Sequence, residues 1–320
     1  MAIIPAVQSL TSRAIDRACE AVLSEDRERS ATLRCSSIGD PCDRRLWYAL
    51  RWAHEEEKHE GRVLRIFDNG HSREARLIEF LRAAGIVVHD RDPATGNQWR
   101  VSLANGALTG SCDGIVENVP EAPKTRHLLE IKTMKESRYR AWRRQGVRVS
   151  DPRYWVQMQC YMHGLGLTRA LFLVENQDTR EIEVERIEYD AGNALVIEAR
   201  AARIFASEMP PARLSDDPGW YQCRFCPASK ICHGGEWVLR NCRTCYAASS
   251  LQAEPFHCGR TEAPLSLAEQ AVGCGAHLYF PSLVEGEVVS ADHERGVITY
   301  KLANGFEFVD GGSEAAARSE

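Results

Sequence analysis

Residues 108–119, LTGSCDGIVENV, and residues 127–134, HLLEIKTM, decide the fold. Both runs set Val, Ile and Leu around small residues, and Pro120, Pro123 and a polar run part them. That pattern predicts β-strands on either side of a loop. Glu130 and Lys132 are two apart, so on a strand they project from one face. Asp113, on the neighbouring strand, is placed to complete that face. Two carboxylates beside a lysine suit metal-assisted hydrolysis. The oxygens hold a hard divalent cation, and the lysine offsets negative charge that develops beside it.

The rest of the chain bounds what this group serves. The 320 residues are 44% hydrophobic and 27% charged, an ordinary globular composition. No apolar run approaches the roughly 20 residues of a membrane helix. MAIIPAVQSL is short and lacks a basic start, so no signal peptide is expected. Twelve cysteines without a secretion signal point to metal rather than disulfides. The net charge of −5 is uneven: from Asp216 onward 8 Lys and Arg face 14 Asp and Glu, while the remainder holds 32 against 31. Any grip on a polyanion therefore falls to local patches in the first two-thirds.

Residues 9–24 carry helical spacing, with Leu10, Ile15, Ala18, Val22 and Leu23 roughly on one side. Asp40-Pro41 marks a second helix start, after which Arg44, Arg45 and Arg51 interleave with Trp47, Tyr48 and Trp52. Those aromatics are either core or a platform for a nucleic-acid strand. Residues 67–85 predict a helix stopped by Gly85, with Leu77, Ile78 and Leu81 buried and Glu74 one turn earlier. Residues 85–119 then read as an antiparallel meander, with a hairpin at Asn105-Gly106. After Lys132, the arginines 138, 140, 143, 144 and 148 surround Tyr139 and Trp142 as a phosphate-tracking patch. Residues 151–166 predict a helix on which Gln157 and Tyr161 share a face. A hairpin over 170–190 and a helix from 191 to Pro210-Pro211 follow.

Taken in order, Glu74 after Gly70, Asp113, Glu130-x-Lys132 and Gln157-x-x-x-Tyr161 resemble the PD-(D/E)XK nuclease superfamily, in its RecB-like and phage λ-type exonuclease branch. The likeness spans roughly residues 31–235, departing in that Cys112 rather than Pro precedes Asp113. It implies an α/β fold, a restriction-endonuclease-like mixed sheet flanked by helices. It also implies phosphodiester hydrolysis at DNA ends with Mg²⁺ or Mn²⁺ on Asp113, Glu130 and Glu74. Lys132 would orient or activate water, and Gln157 and Tyr161 would position the strand. His71 competes with Glu74. Arg138, Arg140, Arg143, Arg144 and Arg148 would bind DNA, and a single-strand annealing or recombination protein is an expected partner in the cytoplasm of a host cell. An endonuclease or nickase on the same fold and an inactive DNA-binding adaptor are the rival readings.

Two cysteine sets remain. Cys42 with Cys223-x2-Cys226-x5-Cys232 resembles the iron–sulfur staple of RecB-like nucleases and implies a 4Fe-4S cluster closing the long loop between them. Zinc on Cys223, Cys226, Cys232 and His233 is the alternative, and Cys35 could stand in for Cys42. Cys242-x2-Cys245, Cys258 and Cys274 predict a zinc site, with His257 and His277 as alternates. The expected organisation is a helical segment over 1–30, a nuclease core over 31–215, a cysteine closure over 216–240, a zinc module over 241–282, β-strands over 283–310 and a disordered tail over 311–320. The zinc module, too short for its own core, reads as an appendage for docking or structure.

Overall fold

The computed structural model describes residues 9–23, 29–56, 58–249 and 256–311. Of the tail 311–320, expected to be disordered, Gly311 instead ends a β-strand, and 312–320 lie outside the described residues. In chain order, helix α1 (Leu10–Leu23), the two-residue strand β1 (Leu33–Arg34), α2 (Asp43–Leu50) and the long α3 (Gly61–Ala83) come first. Strands β2 (Val87–His89), β3 (Arg100–Leu103), β4 (Leu108–Ser111), β5 (Gly114–Glu117) and β6 (His127–Met134) follow. Helices α4 (Glu136–Gln145), α5 (Val147–Ser150) and α6 (Pro152–Leu165) lead to β7 (Arg169–Asn176), β8 (Ile182–Glu188) and α7 (Ala191–Ala206).

The core is a mixed five-stranded sheet, order β2-β5-β6-β7-β8, flanked by helices as expected. Within it only β6 and β7 run parallel, and α4 to α6 make the crossover that a parallel pair requires. On one face α3 packs Leu77, Ile78 and Leu81 against Val88, Val116, Leu129, Ile131, Leu171 and Leu173. Each such burial stabilises by about 2 kcal/mol. On the other face Trp142, Met158 and Tyr161 pack with Leu128, Phe172 and Val174. Strand β7 is covered on both faces, which is why ALFLV is apolar without alternation.

The meander expected over 85–119 is instead split between two sheets. β4 pairs with β3, through the Asn105 turn, and with β1; β5 pairs with β2 and β6. The chain changes sheet at Cys112-Asp113. Gly114 permits the step: its φ is +155°, and a Cβ there would stand 2.9 Å from the His89 carbonyl oxygen. Asp113 is thus in a break between strands rather than on one.

Two further elements of the sequence reading are now placed. α1 lies with its polar side inward, Asp16 bonding Arg65 at 2.7 Å and Glu20 the Gly61 N–H at 2.9 Å, so Leu10, Ile15 and Val22 face outward. α2 starts at Asp43, capped by Cys42, and Trp47, Tyr48 and Trp52 are core residues. Trp47 donates its indole N–H to the Ser207 carbonyl at 2.8 Å, anchoring α2 to the end of α7.

The last third adds short helices α8 (Tyr221–Arg224) and α9 (Ser229–Gly234), then strands β9 (Ala248–Ser249), β10 (Phe256–Cys258) and β11 (Ala263–Leu265) in one small sheet. Helix α10 (Leu267–Val272) opens on a Ser266/Glu269 capping box. β12 (Gly286–Asp292), β13 (Val297–Leu302) and β14 (Glu307–Gly311) form an antiparallel sheet. Buried Asp310 ties it back, accepting from Arg240 at 2.6 Å and from the Tyr279 N–H at 2.6 Å. The cysteine knuckle is not a loose appendage. Arg243, fully buried, donates to the carbonyls of Ala31 at 2.8 Å and Leu50 at 3.3 Å, and Asn241 donates to that of Trp52 at 3.0 Å.

Candidate active site

β5 and β6 pair only as far as Gly114 and Leu129, and beyond that the strands part. Asp113 stands in the opening. Its Oδ2 accepts the Ile131 N–H at 2.7 Å, taking the place of a strand partner. Glu130 and Lys132 project from β6 toward α6. Glu130 is 1% exposed; its Oε1 accepts from Lys132 Nζ and from Gln157 Nε2 at 3.0 Å, while its Oε2 is buried without a partner among the described residues. Gln157 also donates to the Tyr161 hydroxyl at 3.2 Å, and one helical turn on α6 accounts for that pairing. Glu74 comes from α3, the helix on the opposite face of the sheet.

Electrostatics ties the four charged groups together. Glu74 is raised to about 7, by burial first and then by the Asp113 carboxylate, with Lys132 opposing. Glu130 is raised to about 7 by burial, against the pull of Lys132 and with Asp113 and Glu74 adding. Burial alone would lower Lys132, but Glu130 and Asp113 more than offset it and hold the ammonium above its usual range. Three carboxyls and one lysine leave surplus negative charge, the condition that a divalent cation relieves. The buried, unpartnered Glu130 Oε2 fits that donor set.

Tyr154 joins the group, a residue that strand and helix spacing alone do not single out. Its ring centroid is 5.3 Å from Lys132 Nζ and 5.8 Å from the Arg138 guanidinium. The signal that could have found it is its place three residues before Gln157, on the same helix face. His71 is exposed and lines a cleft of about 1,320 Å³ with Arg29, Arg34, Arg45, Lys58 and Arg153.

The arginines after Lys132 do not form an open row. Arg138 is paired with Asp151, Arg140 with Glu136 and Arg143 with Glu183, while Arg148 stacks on Trp155 at 4.5 Å and Arg144 is exposed. Tyr139 and Trp142, which the arginines surround, are buried in the core.

Cys42, Cys223, Cys226 and Cys232 all line one cavity of about 590 Å³, with His233 on its wall. Burial raises Cys223 and Cys226, and Cys42 and Cys232 add to both shifts. Cys35 is elsewhere: its Cβ would lie 2.8 Å from a side chain added at Gly110. Cys242 is pushed up to about 11 by burial and by Cys245, Cys274 and Cys258, so these four thiols also share one neighbourhood. His277 is buried against the Thr244 hydroxyl, 3.2 Å away, and His257 is exposed on β10. As placed, no three His, Cys, Asp or Glu among the described residues form a group that could hold an ion.

No family model and no curated protein matches the chain. Among solved structures it is similar to LHK-Exo in complex with dAMP, at 18% identity over 56% of this chain and 88% of that one, with a TM-score of 0.42. It is likewise similar to an alkaline exonuclease, LHK-Exo, from Laribacter hongkongensis, at 18% identity over 59% and 91%, with a TM-score of 0.41. A phage-related exonuclease from Haemophilus somnus 129PT matches at 18% identity over 54% and 91%, with a TM-score of 0.35.

Proposed function

We propose that this chain is a metal-dependent deoxyribonuclease that hydrolyses phosphodiester bonds at DNA ends, in phage-type recombination or repair. The observation that carries the reading is the buried Glu130 carboxylate beside Asp113, Glu74 and Lys132, with Oε2 unpartnered among the described residues. A buried acid with one oxygen free costs stability unless something else takes that oxygen. Asp113, Glu130 and Glu74 would hold Mg²⁺ or Mn²⁺, which when bound supplies Lewis-acid polarisation of a phosphate and an acidified water. Lys132 stays charged and offsets the negative charge gathering on the phosphate oxygens. Gln157 fixes the Glu130 carboxylate by its hydrogen bond and, with Tyr161, lines the side from which a strand would be held.

The four thiols around the cavity suit a 4Fe-4S cluster, and His233 leaves zinc as the competing occupant there. Cys242, Cys245, Cys258 and Cys274 would hold a structural zinc. Cytoplasmic action beside an annealing or recombination protein completes the reading; no described helix is long and apolar enough to cross a membrane.

The test is degradation of linear DNA and of covalently closed circular DNA with Mg²⁺ or Mn²⁺. Loss of linear DNA with circles spared, abolished in Asp113→Ala and Lys132→Ala, supports the reading. Cutting of closed circles assigns an endonuclease, and unchanged DNA that remains bound assigns an inactive adaptor. Metal analysis and the visible spectrum of anaerobically purified protein decide the cavity: brown protein containing iron against colourless protein containing zinc alone.

A further inference from the structure

We propose that Glu175, acting through Arg73, is the positioning residue that aims Glu74 into the carboxylate site; the inference rests on the metal-dependent reading above. Glu175 lies on β7, opposite Thr133 of β6, and is 1% exposed. It accepts a two-pronged bond from Arg73, Nε to Oε2 at 2.8 Å and Nη2 to Oε1. The planar guanidinium matches the carboxylate in two parallel bonds, which fixes orientation as well as distance. Arg73 immediately precedes Glu74 on α3. Successive helical side chains point about 100° apart. Locking Arg73 to the sheet therefore sets the roll of α3 at Glu74.

The surrounding helix needs such a lock. Leu77, Ile78 and Leu81 hold α3 to the sheet only from the turn after Glu74. On the other side Ile66 and Phe67 are exposed, and Arg65 bonds to Asp16 of α1 rather than to the sheet. Gly70, one turn before Glu74, has no atom of another described element within 4 Å of where a Cβ would stand, so the packing of the described residues demands no glycine there. It leaves the helix looser by up to about 1 kcal/mol relative to alanine. With Glu175 buried and Arg73 half-buried, the pair is a poor general-purpose strut, since apolar residues of similar volume hold a helix as well or better. What it adds is direction, and the group beside it is Glu74.

The test is Mn²⁺ uptake by the full-length protein, read by the paramagnetic resonance of free Mn²⁺, together with the Mn²⁺ dependence of DNA cleavage and thermal unfolding. Glu175→Gln keeps the shape and loses the charge; Arg73→Lys keeps the charge and loses the fork. Each should weaken Mn²⁺ affinity about 10-fold, with cleavage returning to within a few-fold of wild type at saturating metal. Where Glu175→Gln does not fold, Arg73→Lys carries the test. A lower unfolding temperature with a Mn²⁺ curve that overlays wild type makes the pair a plain structural tie and overturns the proposal. Wild-type protein that takes up no Mn²⁺ defeats the nuclease reading and the proposal together.

Discussion

The Asp113 carboxylate accepts the Ile131 N–H at 2.7 Å, at the place where β5 stops pairing with β6. One side chain thus ends a ladder and enters the acidic group, and the two roles separate by substitution. Asp113→Asn retains a carbonyl oxygen that can accept from Ile131. Its unfolding free energy should stay within about 1 kcal/mol of wild type, the scale of one hydrogen bond. Cleavage of linear DNA with Mn²⁺ should fall by at least about 100-fold, because the amide carries no charge for the cation. Denaturant unfolding and cleavage rates measured on one preparation check both.

The raised carboxyls give a pH signature without metal. Glu74 and Glu130 are both lifted to about 7 by burial. The fold favours their protonated forms, so the stability they contribute is fully present below their unfolded pKa of about 4.3. It is lost as pH rises through about 7. Chelated protein should therefore melt at a lower temperature at pH 8 than at pH 6. Added Mn²⁺ should raise the melting temperature more at pH 8, since at pH 6 it must displace protons. Equal metal-induced shifts at both pH values would count against carboxylate ligation at this site.

Much of this group is legible from spacing. Glu130, Lys132, Gln157 and Tyr161 sit two or four apart within single elements, where strand and helix periods fix shared faces. Glu74 and Asp113 need the family pattern, because no local period relates α3 to a break between strands. The break itself is not readable: 108–119 looks like one strand, and only the choice of partner, β3 against β2 and β6, divides it. The outward apolar side of α1 escapes the sequence for a related reason. Helical spacing reports that a stripe exists, and the ion pair of Asp16 with Arg65 decides which side turns inward. Arg243 shows nothing in sequence beyond a place between two cysteines.

That arginine predicts a coupling across the chain. Arg243 is fully buried, lies between the rings of Trp52 and Phe256 at 4.4 and 4.5 Å, and bonds to carbonyls that precede and end α2. Arg243→Leu should cost about 3 kcal/mol or more, the usual scale for emptying a buried polar network. Amide exchange should rise over residues 46–53 as well as around the knuckle. Under the proposed zinc reading of the Cys242 set, a chelator that strips the ion should give the same exchange pattern. Faster exchange confined to residues 241–282 would show that the knuckle and α2 are independent.

Among the five arginines after Lys132, three are ion-paired, and what each pair is anchored to separates Arg138 from Arg140. Arg140 is spent on Glu136, one turn back on its own helix, with 78% of its side chain exposed. Such pairs contribute a few tenths of a kcal/mol and hold nothing in place. Arg138 is anchored by buried Asp151 and by the Tyr154 ring, whose other neighbour is Lys132. Its guanidinium is thereby fixed within one aromatic ring of the acidic group, and under the proposed nuclease reading it is the arginine held ready for a phosphate. Arg138→Gln should raise the KM for DNA several-fold and lower the slope of log affinity against log salt by about 1, the value for one lost phosphate contact. Arg140→Gln should leave both near wild type. Salt titrations of DNA binding with the two variants side by side decide the matter, and equal losses in both would return the patch to a diffuse field with no chosen residue.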